Sequence, residues 1–218
     1  MKKFVFFLPL LLACCMLSAQ DLSGTYGYTM PLDELPKDRS AIPGGTLVLV
    51  KTEGNTYRFW LDVLTGPPGW NRGETDGTIT FKNDTAGYEF SFEDDDHPCI
   101  LKFKVSGKTI SINSQSTSLH CGFGNGVYAD GDFAWMKPQQ KLDNKWLLSQ
   151  YPGSAMATIK NSNIRIYKDE LCQKVSGLSL PKGTVVPQIA LEEEAFYTEY
   201  INAQGKLVLG WIKLSDNK

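Results

Sequence analysis

The chain has 218 residues, of which 42% are hydrophobic and 11% aromatic; this fits one large or two small folded domains and excludes general disorder. The formal net charge is −2 and no cluster of Lys and Arg occurs. The electrostatic footprint of a nucleic-acid-binding protein, or of one held on an anionic membrane surface, is therefore missing.

The first twenty residues differ in kind from the rest. Lys2 and Lys3 precede an apolar run from Phe4 to Leu12, and small residues follow at Ala13, Ser18 and Ala19. That is the order of a secretory signal peptide, and the run is shorter than the roughly 20 residues a membrane span needs. The expectation is export to the periplasm or cell surface, with cleavage after Ala19 or Gln20. Leu11-Leu12-Ala13-Cys14 resembles a lipobox, so a lipid anchor at Cys14 is the alternative, and only that form would hold the chain on a membrane. Loss of residues 1–20 leaves 20 basic and 24 acidic residues, a net charge of −4, and three cysteines, Cys99, Cys121 and Cys172.

From there on nearly every apolar run has period two. Tyr57, Phe59, Leu61 and Val63 share one face; Tyr88, Phe90 and Phe92 share another; Leu101, Phe103 and Val105 alternate with Lys102 and Lys104, and Ile110 and Ile112 follow the turn Ser106-Gly107-Lys108. Such segments form half-buried strands joined by tight turns, and no segment carries a convincing helical period. The predicted class is all-β, with about eight strands in a small antiparallel barrel or sandwich over residues 21–137. Lys137-Pro138-Gln139-Gln140-Lys141 is polar and aperiodic, which predicts a linker over 138–153. Five short runs follow (Ala155–Lys160, Asn163–Tyr167, Gly183–Ile189, Phe196–Asn202 and Lys206–Lys213), enough for a second small barrel over 154–218.

Several features invite a functional reading. Cys99 and Cys121 flank the hairpin 102–113, which brings them together; an oxidising compartment favours a disulfide over two reduced buried thiols. Gly66-Pro67-Pro68-Gly69-Trp70-Asn71-Arg72-Gly73 is a stiff loop in which Trp70 either meets a ligand or folds back to cap the barrel. Glu93-Asp94-Asp95-Asp96-His97 lacks the spacing of a calcium loop and reads as a solvated turn, as does Glu192-Glu193-Glu194, so no metal or other cofactor is expected. Asp84-Thr85-Ala86 matches a short O-glycosylation signature.

The segments Asn163-Ile164-Arg165-Ile166-Tyr167-Lys168-Asp169, Leu180-Pro181-Lys182-Gly183-Thr184-Val185-Val186 and Gly210-Trp211-Ile212-Lys213, in that order, resemble the bacterial SH3-like (SH3b) family. The resemblance implies a small barrel that binds a peptide or peptidoglycan fragment, or another envelope protein, without catalysis. Cys121-Gly122-Phe123-Gly124 and Gly126-Val127-Tyr128-Ala129-Asp130-Gly131-Asp132-Phe133 resemble exported β-modules of unsettled function, and Gly126–Lys137 is faintly similar to the inhibitory loop of bacterial C-type lysozyme inhibitors, with Asn125 in place of their serine. That likeness implies inhibition of a lysozyme-type enzyme through residues 126–137. A third reading is an envelope hydrolase with Cys172 as nucleophile; it requires a base, and the two histidines, His97 and His120, lie in the other module.

For the SH3-like module, the expected ligand contacts are Tyr167, Tyr197 or Tyr200, Trp211 and Arg165, with Trp70 as a candidate in the first module. Ile164 and Ile166 take one face of their strand, which leaves Arg165 and Tyr167 on the other. Period two does not decide whether Tyr197 or Tyr200 faces inward. Trp211 follows Gly210, whose missing side chain leaves room beside the indole; the alternative is that Trp211 plugs the core. Mass spectrometry of the protein recovered from a secreting bacterial host is expected to find the mature chain starting near Gln20 or Asp21; a diacylglyceryl group on Cys14 would establish the anchored form instead.

Overall fold

A computed structural model describes residues 20–29, 44–91, 97–116 and 118–218. The expected signal segment and the acidic run 93–96 fall outside these residues.

Eight strands make up the first module: β1 (Gly24–Thr29), β2 (Gly44–Lys51), β3 (Thr56–Leu64), β4 (Arg72–Thr80), β5 (Thr85–Phe90), β6 (Cys99–Ser106), β7 (Thr109–Ser114) and β8 (Gly131–Trp135). They form one antiparallel sheet in the order β4-β3-β2-β1-β8-β7-β6-β5, in which β1 pairs with β8 and every other strand pairs with a neighbour in sequence. The result is a nearly closed meander barrel. The last seam, between β4 and β5, is closed by a side chain. Tyr88 of β5 lies against Gly77 of β4, so close that a Cβ at Gly77 would sit 2.3 Å from its ring, and the Tyr88 hydroxyl donates to the Asp76 carbonyl at 3.1 Å.

The alternation read in 57–63 is the wall of this barrel. Tyr57, Phe59, Leu61 and Val63 are buried, and Arg58, Trp60 and Asp62 point outward. The interior is filled by side chains such as Phe59, Phe103 and Phe133 rather than left hollow. The connection 115–130 folds over one barrel end and inserts Phe123, Val127 and Ala129 into the core. Phe123 lies over Gly73, where a Cβ would be 2.5 Å away. The Cys99–Cys121 disulfide tethers this connection to the start of β6, and beside it the rings of His97 and His120 stack at 4.9 Å.

The segment expected as a bare linker is ordered and packed. Gln139 accepts from the Thr25 amide at 2.8 Å and donates to the Thr25 carbonyl at 2.9 Å, standing in for a strand partner. Helix α1 (Asn144–Ser149) follows, capped by the Asp143 side chain and burying Trp146 and Leu147. Six residues are too few to leave a helical period in the sequence.

The second module holds β9 (Ala155–Thr158), β10 (Ile164–Tyr167), β11 (Val175–Leu180), β12 (Val185–Gln188), β13 (Ala190–Leu191), β14 (Ala195–Ile201) and β15 (Leu207–Lys213). One sheet runs β11-β10-β15-β14-β13, and β12 pairs with β9. Ile164, Ile166, Leu180, Val186, Phe196 and Ile212 form its core. Five of these strands coincide with the expected runs; β11 and β13 do not. In β11, Gly177 (φ +82°) breaks the alternation and only Leu180 is buried, so no period-two signal survives. Replacing Cys99 and Cys121 together by alanine is expected to lower the unfolding free energy by roughly 3 kcal/mol through loss of the loop constraint, read by urea denaturation.

Candidate functional site: an aromatic row beside the module interface

The site begins with β14, a strand buried on both faces. Phe196 points into the module's own core, and Tyr200 packs against that core. Glu199 and Ile201 point the other way, toward the barrel, and Ile201 joins Val48, Val50, Trp146, Leu147 and Leu207 in a third apolar cluster between the modules. Trp60 of β3 meets Trp146 of α1 edge to face at 5.0 Å within this contact.

Among the described residues, one buried acid lies in that interface. The Glu199 side chain is 1% exposed and faces Arg58 of the barrel, Nε to Oε1 at 3.0 Å, while the Tyr151 hydroxyl donates to Oε2 at 2.7 Å. The 3.0 Å contact is ionic rather than a directed hydrogen bond, since neither Arg58 Nε nor Glu199 Oε1 has a hydrogen-bond partner. Arg58 also pairs with Asp76 and lies over the Trp60 ring. Burial opposes the Arg58 charge, but Glu199, Asp76 and Tyr151 hold the guanidinium above its ordinary range. Burial likewise pushes the Glu199 carboxyl above the ordinary carboxylate range, and Arg58 and Tyr151 pull it back only in part.

Beyond this interface the same sheet face carries aromatics. Trp211 of β15 stands opposite Tyr197 of β14 on one side and opposite Tyr167 of β10 on the other, so the three side chains form a row across three strands. The Tyr197 and Trp211 rings meet edge on at 5.5 Å. Burial pushes the Tyr197 phenol up to about 12, with Glu199 adding to the shift. The Tyr167 hydroxyl reaches Asp216 Oδ2 at 3.4 Å. All three rings are half-buried, and Arg165, two residues before Tyr167 on the same face, is exposed. A cavity of about 340 Å³ opens alongside, walled by Tyr197, Leu178 and Lys168 of this module and by Thr52, Thr56 and Thr78 of the barrel.

The expected residues thus separate. Tyr167, Tyr197, Trp211 and Arg165 share one face. Tyr200 does not: the pleat turns it inward, because Glu199 and Ile201 occupy the barrel side. Trp211 is no core plug, since Val208 and Ile212 fill the module core from its strand. The space beside Gly210 (φ +148°) is not free for a ligand either. A Cβ there would stand 2.5 Å from the Tyr167 carbonyl oxygen, so glycine serves the close approach of β10. Trp70 lies in the other module, 59% exposed with φ +48°; it does not cap the barrel, because Phe123 already does. Cys172 is unpaired, and burial followed by Asp169 pushes its thiol up, away from a thiolate. Among the described residues no group of three or more metal-binding side chains is found.

Arg58, Glu199, Tyr151 and Trp146 were not anticipated from sequence. One signal was present: Glu199 interrupts an otherwise apolar face between Tyr197 and Ile201. Comparison with known proteins gives no match, since no family model fits the sequence and no curated protein or solved structure resembles it beyond chance.

The raised Glu199 carboxyl fixes the sign of a pH effect. A group raised in the folded state contributes stability below its unfolded pKa and loses it as pH rises through the folded value. Urea unfolding of the wild type and of Glu199→Gln, which cannot titrate, is expected to show the wild type losing ground to the variant as pH rises above the ordinary glutamate value of about 4.3. Glu199→Ala, which leaves Arg58 with Asp76 alone, is expected to cost about 1–3 kcal/mol, and the paired change Arg58→Met with Glu199→Leu distinctly less.

Proposed function

We propose that this chain is a non-enzymatic binding protein of the cell envelope whose second module is an SH3-like barrel, and that the module binds a peptide or peptidoglycan-type stem on the row Tyr167–Trp211–Tyr197. The observation that carries this reading is the in-register placement of three half-buried aromatics on three adjacent strands, beside a cavity and next to an exposed arginine. Flat rings supply contact area at small entropic cost, and a guanidinium supplies a fork for a carboxylate. No cofactor takes part.

The test is retention of the full chain on purified peptidoglycan and on its released stem peptides. Wild-type protein is expected to bind, and Trp211→Ala to weaken binding by about thirtyfold, as for an interface anchor, while its thermal melt stays cooperative. A collapsed melt would assign Trp211 to the fold, and Tyr167→Ala would then carry the test. Unchanged retention in both variants sinks the reading.

A second reading draws on a separate observation. At the barrel end Tyr128 is 59% exposed although its neighbours Val127 and Ala129 are buried, and the Asn71 amide donates to the Asn125 carbonyl at 2.6 Å, tying the Trp70 loop to that segment. A constrained loop with an outward tyrosine supports inhibition of a lysozyme-type enzyme through 126–137. Inhibition abolished by Tyr128→Ala, with no affinity for the wall itself, would favour this reading over the first.

A further inference from the structure

Two connections leave the first module's barrel at one end: 65–71, between β3 and β4, and 115–130, between β7 and β8. The other end carries the short turns 52–55, 81–84 and 107–108. The two connections are locked to each other and to the strands. The Thr65 amide donates to the Asn71 carbonyl at 2.9 Å, and the Asn71 amide donates back to Thr65 Oγ1 at 3.0 Å. The Gly124 amide donates to the Arg72 carbonyl at 3.0 Å, beside the bond from the Asn71 side chain to the Asn125 carbonyl. Arg72 is itself anchored by paired bonds to Asp62 at 2.8 and 2.7 Å.

Trp70 sits in this frame at a cost to the free protein. Its φ of +48° lies in the left-handed region, where a bulky side chain is strained. Burial does not offset the strain, because the ring is 59% exposed and Phe123 fills the barrel end. On the adjoining connection Tyr128 is equally exposed, while Val127 and Ala129 beside it go into the core. Two large rings are thus held in water by an ordered backbone, and little remains to be frozen when a ligand arrives.

The groups around the rings define what that ligand carries. Thr65, Asn71 and Asn125 are uncharged. Among the described residues the Asn125 side chain and Asn71 Oδ1 have no hydrogen-bond partner, which leaves amide donors and an acceptor open. Phosphates and carboxylates call for a free cation, and the neighbouring Arg72 is taken by Asp62 and Glu74. A protein partner is matched best by a contiguous apolar centre. Here Gly69 and Asn71 flank Trp70, and Gly124, Asn125 and Gly126 precede Tyr128. Neutral pyranose units suit such a surface. Their slightly positive C–H faces stack on the negative faces of aromatic rings, and their hydroxyls both donate to and accept from amides.

We propose that the loop end of the barrel binds a neutral glycan, whose pyranose rings stack on Trp70 and Tyr128 and whose hydroxyls bond to Asn71 and Asn125. This site lies in the other module from the aromatic row and does not depend on the peptide reading.

The probes are three neutral tetrasaccharides, chitotetraose, cellotetraose and maltotetraose, titrated into the full chain with its tryptophan indoles isotope-labelled. The Trp70 resonance is assigned as the one missing from Trp70→Asn. At least one saccharide is expected to bind with a Kd of about 1 mM or tighter and to shift that resonance. Trp70→Asn and Tyr128→Ala are each expected to weaken this binding by about tenfold or more. Asparagine tolerates the left-handed backbone, so the thermal melt of Trp70→Asn is expected to stay level or rise. A melt lowered by more than about 3 °C would assign Trp70 to the fold and overturn the proposal. No binding of any of the three at about 10 mM overturns it as well. So does a saccharide that shifts only Trp211 or binds either variant unchanged. Inhibition of a lysozyme-type enzyme that is lost in both variants, with no saccharide bound, overturns it in favour of a protein partner on the same surface.

Discussion

The contact between Glu199 and Arg58 governs how the two modules stand to each other. An acid almost wholly removed from water is tolerable only when a partner is fixed opposite it, and here the partner belongs to the other module. The apolar cluster around Trp146 and Ile201 contributes area, which is indifferent to small slips. The Tyr151 hydrogen bond to Glu199 is directional and, with the Arg58 charge fixed opposite, defines one docking position. In that position β14 has the barrel on one side and its own core on the other, and Tyr197 at the half-covered end of the sheet borders the slot between the modules. The two-module arrangement is therefore part of the site rather than a way of carrying it.

The barrel was legible because most of its strands face one core and one solvent side, so alternation in the sequence maps onto inside and outside; β2, whose Val48 and Val50 pack into the inter-module cluster, is the exception. The run 57–63 is the clearest case. β14 was not legible in this sense. Its two faces are both buried, by different partners, and the sequence Phe196 to Ile201 offers apolar side chains on both; no periodicity argument separates Tyr197 from Tyr200 until the barrel is in place. The same holds for 138–153, whose polarity suggested a tether but whose Leu142, Trp146, Leu147 and Tyr151 go into the interface or against it.

Gly210 shows the limit from the other direction. A glycine beside a tryptophan admits two explanations, room for a ligand or room for the chain itself, and the distinction depends on which strand passes nearby. β10 does so, and its carbonyl occupies the space. The aromatic row was nonetheless readable in outline, because Tyr167 is set outward by the two isoleucines flanking Arg165. What sequence alone did not carry is that β10 meets β15 only at Tyr167 and Trp211, because the chain turns away into β11 at Lys168.

The segment joining the modules is held at both ends by primary amides. Gln139 reads the backbone of Thr25 from both sides, and Asn144 does the same at Ile201, accepting from its amide at 2.8 Å and donating to its carbonyl at 2.9 Å. Each clamp needs one nitrogen and one oxygen in a fixed order. Hydrolysis of either amide to a carboxylic acid replaces the nitrogen by an oxygen and sets an anion against a carbonyl. Asparagine and glutamine are among the thermolabile residues. Deamidation at either side chain would therefore release the joining segment from β1 at one end or from β14 at the other.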